Sequence, residues 1–331
     1  MIGPAMVRRV AAETGFREEA VEKALYLAAI LERLSGHPDL RGSWVLKGGT
    51  ALNLCHLDVP RLSVDVDINY IGHRDLEAMK AARPVFERAV VACCEREGCQ
   101  VRRAPEEHAG GKYRLRYAGG VSGTGTLELD VNFVQRVPMF DPEDRRVRFP
   151  PDAGGRPVPV LTFEELAAGK LTALLMRAAA RDAFDAWQLV QRVPDLSARP
   201  TLRMAFVVQA AMARADVRTK GPADVTLTSR QVRDELFPLL RPEAIPFQGD
   251  VEGLTGQLNE TTGRVMANLL AWQPREHAFL DAILDRGEVL AEVLTDDPAL
   301  QERIAAQPML HWKARHVREY KRLPATEPEE T

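Results

Sequence analysis

Two aspartates that stand two residues apart are the residues of this sequence that most suggest chemistry. Asp65 and Asp67 lie in segment 62–71, which alternates apolar and polar residues, so on a β-strand both carboxylates project from one face. Carboxylates this close repel each other unless one is protonated or a cation lies between them. Their oxygens suit Mg²⁺ or Mn²⁺, which activate an attacking oxygen and neutralise a leaving phosphate in two-metal sites. The pair therefore predicts a hard-metal site.

A glycine turn precedes the aspartates. It follows a short apolar run, and its residues are Lys47, Gly48, Gly49 and Thr50. Because glycine has no Cβ, the backbone can approach a phosphate closely, and a helix that starts there points free N–H groups at it. The alternatives are a tight turn without a ligand and a helix-capping role for Thr50. We expect nucleotide binding because the turn stands next to the aspartates.

Two further positions extend the acidic set. Ser63 lies two residues before Asp65 and should point the same way, either toward the metal or as a polar filler. In the alternating segment 127–133, Glu128 and Asp130 share the polar face. A carboxylate from this strand beside the first pair would complete a three-acid metal site, and we favour Asp130 over Glu128.

A later helix carries cations at helical spacing. Lys170 and Arg177 are seven residues apart and share a helix face, with Arg181 close to it. This set fits an NTP triphosphate, and a solvated basic stripe is the alternative. Asp182 and Asp185 are neighbours at i and i+3, so we expect one to cap the helix or pair with Arg181 and the other to face a cleft.

Basic residues on a strand suggest an RNA surface. Lys112, Arg114 and Arg116 alternate on one face and could guide a phosphate backbone, although exposed strands often carry such charges. The segment His311–Arg322 combines bases with aromatics, as nucleic-acid surfaces do, but an amphipathic last helix is the favoured interpretation.

Composition limits the classes of function. The chain has 331 residues, 45% hydrophobic and 27% charged, which is typical of a folded protein of two domains. A net charge of -3 argues against a dedicated nucleic-acid binder and leaves room only for a local basic patch. There is no apolar run of roughly 18 residues and no signal-peptide pattern, so we expect a cytoplasmic protein without a membrane contact. The four cysteines lack metal-site spacing and are expected to be buried thiols.

The elements that must position these residues follow from periodicity. We predict helices before residue 40, a strand–turn–helix over 44–54, a strand over 62–71, and a helix over 76–97. Segments 112–117 and 126–134 should form a hairpin, and the Pro- and Gly-rich stretch 137–159 a loop. The rest should be helical, with Thr162 and Glu165 as a capping box and Asp297 as an N-cap before Pro298. We place a domain boundary near residue 160, which gives domains 1–160 and 161–331.

The motifs resemble those of a known family. The carriers are Gly48-Gly49-Thr50 with Ser63-x-Asp65-x-Asp67, and later Glu164 to Lys170 and Arg181-Asp182-Ala183-Phe184-Asp185 in the same order. They are similar to the first motif of the DNA polymerase β-like nucleotidyltransferases, in the variant of the AbiEii/AbiGii toxin family. The general superfamily has Gly-Ser where this chain has Gly49-Thr50. The resemblance covers roughly residues 20 to 190 well.

The resemblance implies a fold, an activity and partners. The fold would be α/β, a mixed-sheet nucleotidyltransferase core followed by a mainly helical C-terminal domain. The activity would be metal-dependent transfer of NMP from an NTP to an acceptor, the 3′ end of tRNA, by a toxin encoded with an antitoxin. Asp65 and Asp67 would bind the metal, Lys170 would reach the triphosphate, and Asp185 or Asp182 would be a further acidic site residue.

Two alternatives remain from the residues themselves. One is a phosphotransferase or an antibiotic-type nucleotidyltransferase that acts on a small molecule. The other is a catalytically inactive binding module, against which the aspartate pair argues. Whether Asp130 or the pair Asp182 and Asp185 completes the acidic site stays open at this point.

Overall fold

The protein is a mixed seven-stranded sheet with helices packed on it and a second, helical part. The structure is a computed structural model that describes residues 2–103, 110–121, 123–152, 154–241 and 250–322. The strands are β1 Trp44–Lys47, β2 Asp65–Tyr70, β3 Gln100–Arg103, β4 Gly110–Tyr117, β5 Gly125–Asn132, β6 Glu143–Arg145 and β7 Val158–Val160. They lie in the order β3-β4-β5-β2-β1-β7-β6. Pairs β2–β5 and β1–β7 are parallel and the other four are antiparallel.

Helices precede, connect and follow the strands. The α-helices are α1 Pro4–Thr14, α2 Glu18–Gly36, α3 Gly48–Ala51, α4 Leu76–Arg96, α5 Phe163–Arg177, α6 Ala180–Arg192, α7 Pro200–Ala211, α8 Ser229–Gln231, α9 Val251–Leu270, α10 Pro274–Asp281, α11 Ala291–Leu294, α12 Pro298–Ala305 and α13 Pro308–Lys321. Shorter 3₁₀ turns are Pro38–Leu40, Leu196–Ala198, Val217–Thr219, Pro222–Val225 and Phe237–Leu239. Single π-helical turns are Leu52–His56, Val232–Leu236 and Ala282–Arg286.

Most predicted elements are present. The alternating residues of β4 place Tyr113, Leu115 and Tyr117 in the core, and β4 and β5 pair antiparallel as the predicted hairpin. The prediction of a loop over 137–159 is wrong in part, because β6 and β7 lie within it. These strands have three residues each, too few to show a period of two. Strand β3 was also not predicted.

The caps of the later helices are only partly as expected. Asp297 caps α12 through the N–H groups of Ala299 and Leu300, as predicted. Thr162 caps α5 by accepting from the N–H of Glu165. The predicted reciprocal bond of the capping box is replaced, because the Glu165 carboxylate accepts instead from the N–H groups of Met139 and Phe140.

Two hydrophobic clusters fill the interior. The first is built mainly from residues between Val7 and Leu166, on the sheet and on α1, α2 and α4. The second is built mainly from residues between Ala167 and Leu310. This division is consistent with a boundary near residue 160, which stays a proposal. The proposed second domain includes residues 242–249 and 323–331, which lie outside the described residues.

The sequence predicts that the chain has no membrane-spanning helix and that its cysteines are buried thiols. No helix in the described part of the chain is long and apolar enough to cross a membrane. All four cysteines are buried and free, as predicted.

Candidate functional site

Two neighbouring parallel strands bring the acidic residues together. The register of β2 and β5 places Asp67 opposite Asp130 and Asp65 opposite Glu128. Because register partners in a sheet point to the same face, the four carboxylates share one side of the sheet. Asp130 is thus next to Asp67, the position expected of the favoured third carboxylate.

The electrostatics of these carboxylates favour a cation. Burial raises the pKa of Asp67, the charge of Asp65 adds to the increase, and Lys47 opposes it. Burial also raises the pKa of Asp130. Its Oδ1 atom is buried and has no hydrogen-bond partner among the described residues. An unpartnered buried carboxylate oxygen beside a second acid is a donor set that fits a hard divalent ion.

The predicted three-acid cluster is nevertheless not assembled. In the described residues no three His, Cys, Asp or Glu side chains are grouped so that they could hold a metal ion. Asp65 Oδ2 lies 3.3 Å from Nη1 of Arg181. The expectation that Arg181 pairs with Asp182 or Asp185 is therefore wrong, because Arg181 pairs with Asp65 instead.

The glycine turn touches the acidic face directly. Gly48 has φ +71, and a methyl group on it would lie 2.3 Å from Oδ2 of Asp67. A methyl group on Gly49 would lie 2.8 Å from Nη2 of Arg61 and 3.5 Å from Nζ of Lys170. No side chain fits between this turn and its charged neighbours, so both glycines are required for the close approach.

Thr50 and Ser63 hold the turn from behind. Thr50 is fully buried, and its hydroxyl donates to the backbone oxygen of Asp65. It is neither the N-cap of α3, which is Lys47, nor open to a nucleotide, so its predicted contact with the ligand is not supported. Ser63 is also buried, and a methyl group on Gly49 would lie 3.4 Å from its Oγ.

Lys170 belongs to a buried ionic network. Its Nζ lies 2.7 Å from Oδ1 of Asp182 and 2.9 Å from Oδ2 of Asp185. Nε and Nη2 of Arg61 donate to Asp185 at 2.8 and 2.6 Å, and Nδ2 of Asn53 donates at 3.0 Å. Burial alone would raise the pKa of Asp185, but the charges of Arg61 and Lys170 outweigh it and hold the pKa far below its usual range.

This network corrects the prediction for Asp185. The side chain is fully buried behind the glycine turn and does not face a cleft. The reason is the bidentate bond from Arg61, a residue that the sequence interpretation missed together with Asn53. The available signal was position, since Arg61 and Ser63 continue the alternation that leads into Asp65. Asp182 is also buried. It forms ion pairs with Lys170 and with Arg177, and Nε of Arg177 lies 2.6 Å from Oδ2 of Asp182.

A cleft of about 580 Å³ opens beside the turn. Lys47, Gly48, Gly49 and Asp67 line one side, and Lys170 and Arg177 of α5 line the other. The volume suits a nucleotide-sized ligand. A depression of about 670 Å³ lies elsewhere, between the carboxyl ends of α2 and α4, and contains none of the predicted site residues. The cleft with the carboxylates is therefore the candidate site.

Comparison with known proteins identifies the family. The sequence matches, over residues 29–313, the model of the family described as nucleotidyl transferase AbiEii toxin, type IV TA system. The chain belongs to the AbiEii family of nucleotidyltransferase toxins. It is thus a nucleotidyltransferase.

A solved structure supports the AbiEii fold. MenT4, the nucleotidyltransferase toxin Rv2826c from Mycobacterium tuberculosis H37Rv, is similar with a TM-score of 0.57 and 18% identity over 93% of this chain and 99% of that chain. At this identity the likeness concerns the fold alone. No curated protein sequence matches the chain. The predicted resemblance and the α/β core with a helical second part are confirmed.

In this AbiEii chain the basic strand face adjoins the acidic one. Lys112 is paired with Asp130 and Arg114 with Glu128 across β4 and β5. Nζ of Lys112 lies 2.6 Å from Oε2 of Glu128, and Nε of Arg114 lies 3.7 Å from Oε1 of the same residue. Lys112, Arg114 and Arg116 alternate on the exposed side of β4, as predicted, but two of the three are partly neutralised by Glu128.

Proposed function

We propose that this AbiEii toxin transfers a nucleoside monophosphate from an NTP to the 3′ end of an RNA, with tRNA as the acceptor, in a metal-dependent reaction. A cognate antitoxin would neutralise it. The observation that carries the proposal is one cleft in which Asp67, the register neighbour of Asp130, meets a glycine turn and two cations on a facing helix. These parts suit a polyphosphate and its counter-ion.

The carboxylates are proposed to hold the metal. Asp65 and Asp67 would be ligands, with Asp130 contributing the oxygen that has no partner among the described residues. Bound Mg²⁺ or Mn²⁺ would neutralise charge on the phosphates and activate the attacking hydroxyl oxygen. Lys47 lies close to Asp67, and its positive charge opposes the increase in the pKa of Asp67 that burial causes. Lys47 thus favours the ionised carboxylate that a metal ion requires.

The turn and the facing helix are proposed to hold the triphosphate. Gly48 and Gly49 leave room for a phosphate against the backbone, and Arg177 presents a largely exposed guanidinium from the opposite wall. Asp182 orients both Lys170 and Arg177, since each donates to one of its oxygens. Asp185 fixes Lys170 and Arg61 beneath the turn and acts as a positioning residue.

The test removes one charge from the acidic pair. Asp67→Asn should lower kcat at least about 100-fold, because loss of electrostatic stabilisation at the reacting phosphate costs roughly 3 kcal/mol or more. The unfolding midpoint of the metal-free variant should hold or rise, since carboxylate repulsion is relieved. Asp144→Asn, an exposed aspartate on β6, is the matched control and should retain wild-type activity.

The assay should identify the acceptor as well. RNA is incubated with each labelled NTP and Mg²⁺, and the 3′ ends are sequenced. Label added to tRNA 3′ ends by wild type but not by Asp67→Asn supports the proposal. Full activity of Asp67→Asn would sink the metal assignment, and label transferred only to small molecules would replace the RNA acceptor with the antibiotic-type alternative.

A further inference from the structure

Part of the cleft lining is apolar and consists of Val137, Leu161, Leu166, Met176, Met212 and Met309; we refer to the part of the cleft lined by these residues as its inner half. Methionine thioethers and aliphatic side chains pack well against the flat face of an aromatic ring. Polar groups also line the cleft, and two buried ones, on Thr172 and Asn69, have a side-chain oxygen without a partner among the described residues.

A relay of amides starts at the metal end. Nζ of Lys47 donates to Oε1 of Gln135 at 3.0 Å, and Nε2 of Gln135 donates to Oε1 of Gln209 at 3.5 Å. An ammonium only donates, so Lys47 fixes which end of the Gln135 amide is oxygen, and Gln135 in turn fixes Gln209. Gln209 lines the cleft with its NH₂ group left as a donor.

Thr172 adds a hydroxyl without a partner. Three other helical threonines, Thr14, Thr255 and Thr262, donate to the carbonyl four residues earlier, as helical threonines commonly do. The hydroxyl of Thr172 is buried and has no partner among the described residues, although the side chain lines the cleft and is only 9% exposed.

Asn69 on β2 also has a buried side-chain oxygen without a hydrogen-bond partner among the described residues. It lies on the acidic face of β2, two residues beyond Asp67, and is 4% exposed. Its Oδ1 is buried without a partner in the part of the chain that the structure describes, and the residue lines the cleft. Buried polar groups left unpaired are costly, so a ligand that supplies the missing hydrogen bonds gains affinity.

We propose that this inner half binds the nucleobase of the NTP, and that Gln209, Thr172 and Asn69 recognise its edge. The proposal rests on the proposed function, which places the triphosphate at Gly48, Gly49 and Lys170. A base has apolar faces and a polar edge, which is the chemistry that the walls and the incomplete polar groups complement. The NH₂ group of Gln209 requires a carbonyl oxygen or a ring nitrogen at the edge that it meets.

Through the hydrogen bond from Gln135 to Gln209, the selectivity for the base depends on Gln135, which does not itself contact the base. If Gln135 is replaced by an apolar residue, Gln209 can rotate its amide and present oxygen instead of NH₂. Selectivity should then fall although Gln209 is intact. Gln135 is thus a positioning residue, and Gln209 and Thr172 are specificity residues.

The experiment measures binding by calorimetry to the full chain with Mg²⁺. The probes are the four NTPs and inorganic tripolyphosphate, which has no base. Wild type should bind one NTP at least about tenfold more tightly than the weakest, the range of one good base-edge contact. Gln209→Leu, Thr172→Val and Gln135→Met should each reduce that preference to about threefold or less, and tripolyphosphate affinity should be unchanged in Gln209→Leu and Thr172→Val.

Thr262→Val is the matched control. It also deletes a buried threonine hydroxyl, but one that bonds its own helix in α9, outside the cleft. It should lower the unfolding temperature without changing the order of the NTPs. A wild-type preference that survives Gln209→Leu and Thr172→Val would overturn the inference, as would four NTPs bound alike. Binding of tripolyphosphate alone would overturn the base site and leave the phosphate site standing, whereas no binding of any probe would overturn both.

Discussion

At the scale of single residues, Lys170 combines a ligand-facing position with a structural one. It lines the cleft, and it also neutralises two buried carboxylates, those of Asp182 and Asp185. Arg177 also lines the cleft, but its side chain is 61% exposed and it pairs with one buried carboxylate, that of Asp182. The two cations can therefore separate nucleotide binding from stability.

We expect Lys170→Ala and Arg177→Ala both to weaken NTP binding, but only Lys170→Ala to lower the stability of the protein strongly. Each should raise the KM for the NTP roughly ten- to a hundredfold, because a charged phosphate contact contributes about 1.5 to 3 kcal/mol. Lys170→Ala should also lower the free energy of unfolding by about 3 kcal/mol, since it removes the one ammonium that both buried carboxylates share. Arg177→Ala should change it by less than about 1 kcal/mol. Lys170→Arg should retain more activity than Lys170→Ala.

Steady-state kinetics and chemical denaturation check this pair. If Arg177→Ala left KM and kcat unchanged, the guanidinium of Arg177 would not contact the NTP, and its role would be limited to the ion pair with Asp182. If Lys170→Ala were as stable as wild type, the buried network would not be the tightly coupled unit inferred from its distances.

The same residues show how far single positions can be predicted from sequence. The two aspartates and two glycines can be singled out from the sequence because their signal is local, a period of two and a missing Cβ. Asp185 was placed wrongly because its environment is set by Arg61, 124 residues away along the chain. The alternation that leads into Asp65 places Arg61 on the polar face of the segment, but it does not show that the guanidinium is buried on Asp185. The amides of Gln135 and Gln209 were missed for the same reason, since they meet only in the folded chain.

At the scale of elements, Glu165 ties α5 to the segment after β5. Burial raises its pKa to about 7, although the N–H groups of Met139 and Phe140 and the charge of Arg303 oppose this. The residue lines the cleft beside Leu166. A change in its protonation state should therefore alter the fit between the two elements that form the cleft wall.

The stability of this junction should depend on pH in a defined direction. Because the folded-state pKa of about 7 exceeds the ordinary value of 4.5, the folded chain retains a proton that the unfolded chain releases between these values. This contribution is complete below about pH 4.5 and is lost as pH rises through about 7. Glu165→Gln keeps an oxygen acceptor and cannot ionise. Its unfolding temperature relative to wild type should rise between pH 5 and pH 8, by the equivalent of at most about 3 kcal/mol.

Thermal unfolding of both proteins across this range measures the effect. Glu164→Gln, which removes the same charge from the same turn of α5, is the control and should follow wild type. Parallel curves for wild type and Glu165→Gln would show that the carboxyl does not titrate in this window.

The sequence predicts an element correctly where the element is long and its own residues carry the regular pattern. The hairpin of β4 and β5 has eight residues in each strand and a clear alternation, and α4 is a helix of 21 residues. Strands β6 and β7 have three residues each; they pair with each other, and β7 pairs with β1, more than 100 residues away along the chain. Their formation depends on the neighbouring strand of the sheet and not on their own sequence, which lies in a Pro- and Gly-rich stretch that predicts a loop.

At the scale of the whole molecule, the cleft lies where the two hydrophobic clusters meet. Lys47 and Asp67 come from the sheet that encloses the first, and Lys170 and Gln209 from helices that enclose the second. The acceptor must reach this cleft from outside. The exposed face of β4 continues the acidic face across β5, so it offers a path of alternating cations that ends at the carboxylates.

RNA contact along this path should be electrostatic despite the net charge of -3. Arg114 and Arg116 are the residues to change, because Lys112 lies 3.9 Å from Asp130 and is coupled to the acidic site. Successive same-face residues of a strand are roughly 6 to 7 Å apart, close to the spacing of phosphates along a single strand. Changing both to Gln should reduce the log–log salt slope of RNA affinity by about 1.4, since each phosphate contact contributes about 0.7. NTP affinity should be unchanged, and Arg230→Gln with Arg264→Gln, two exposed arginines of the helical part, should leave the slope as in wild type. An unchanged slope in the β4 variant would mean that these arginines serve only Glu128 and the solvent, and the acceptor surface would then be sought on α13.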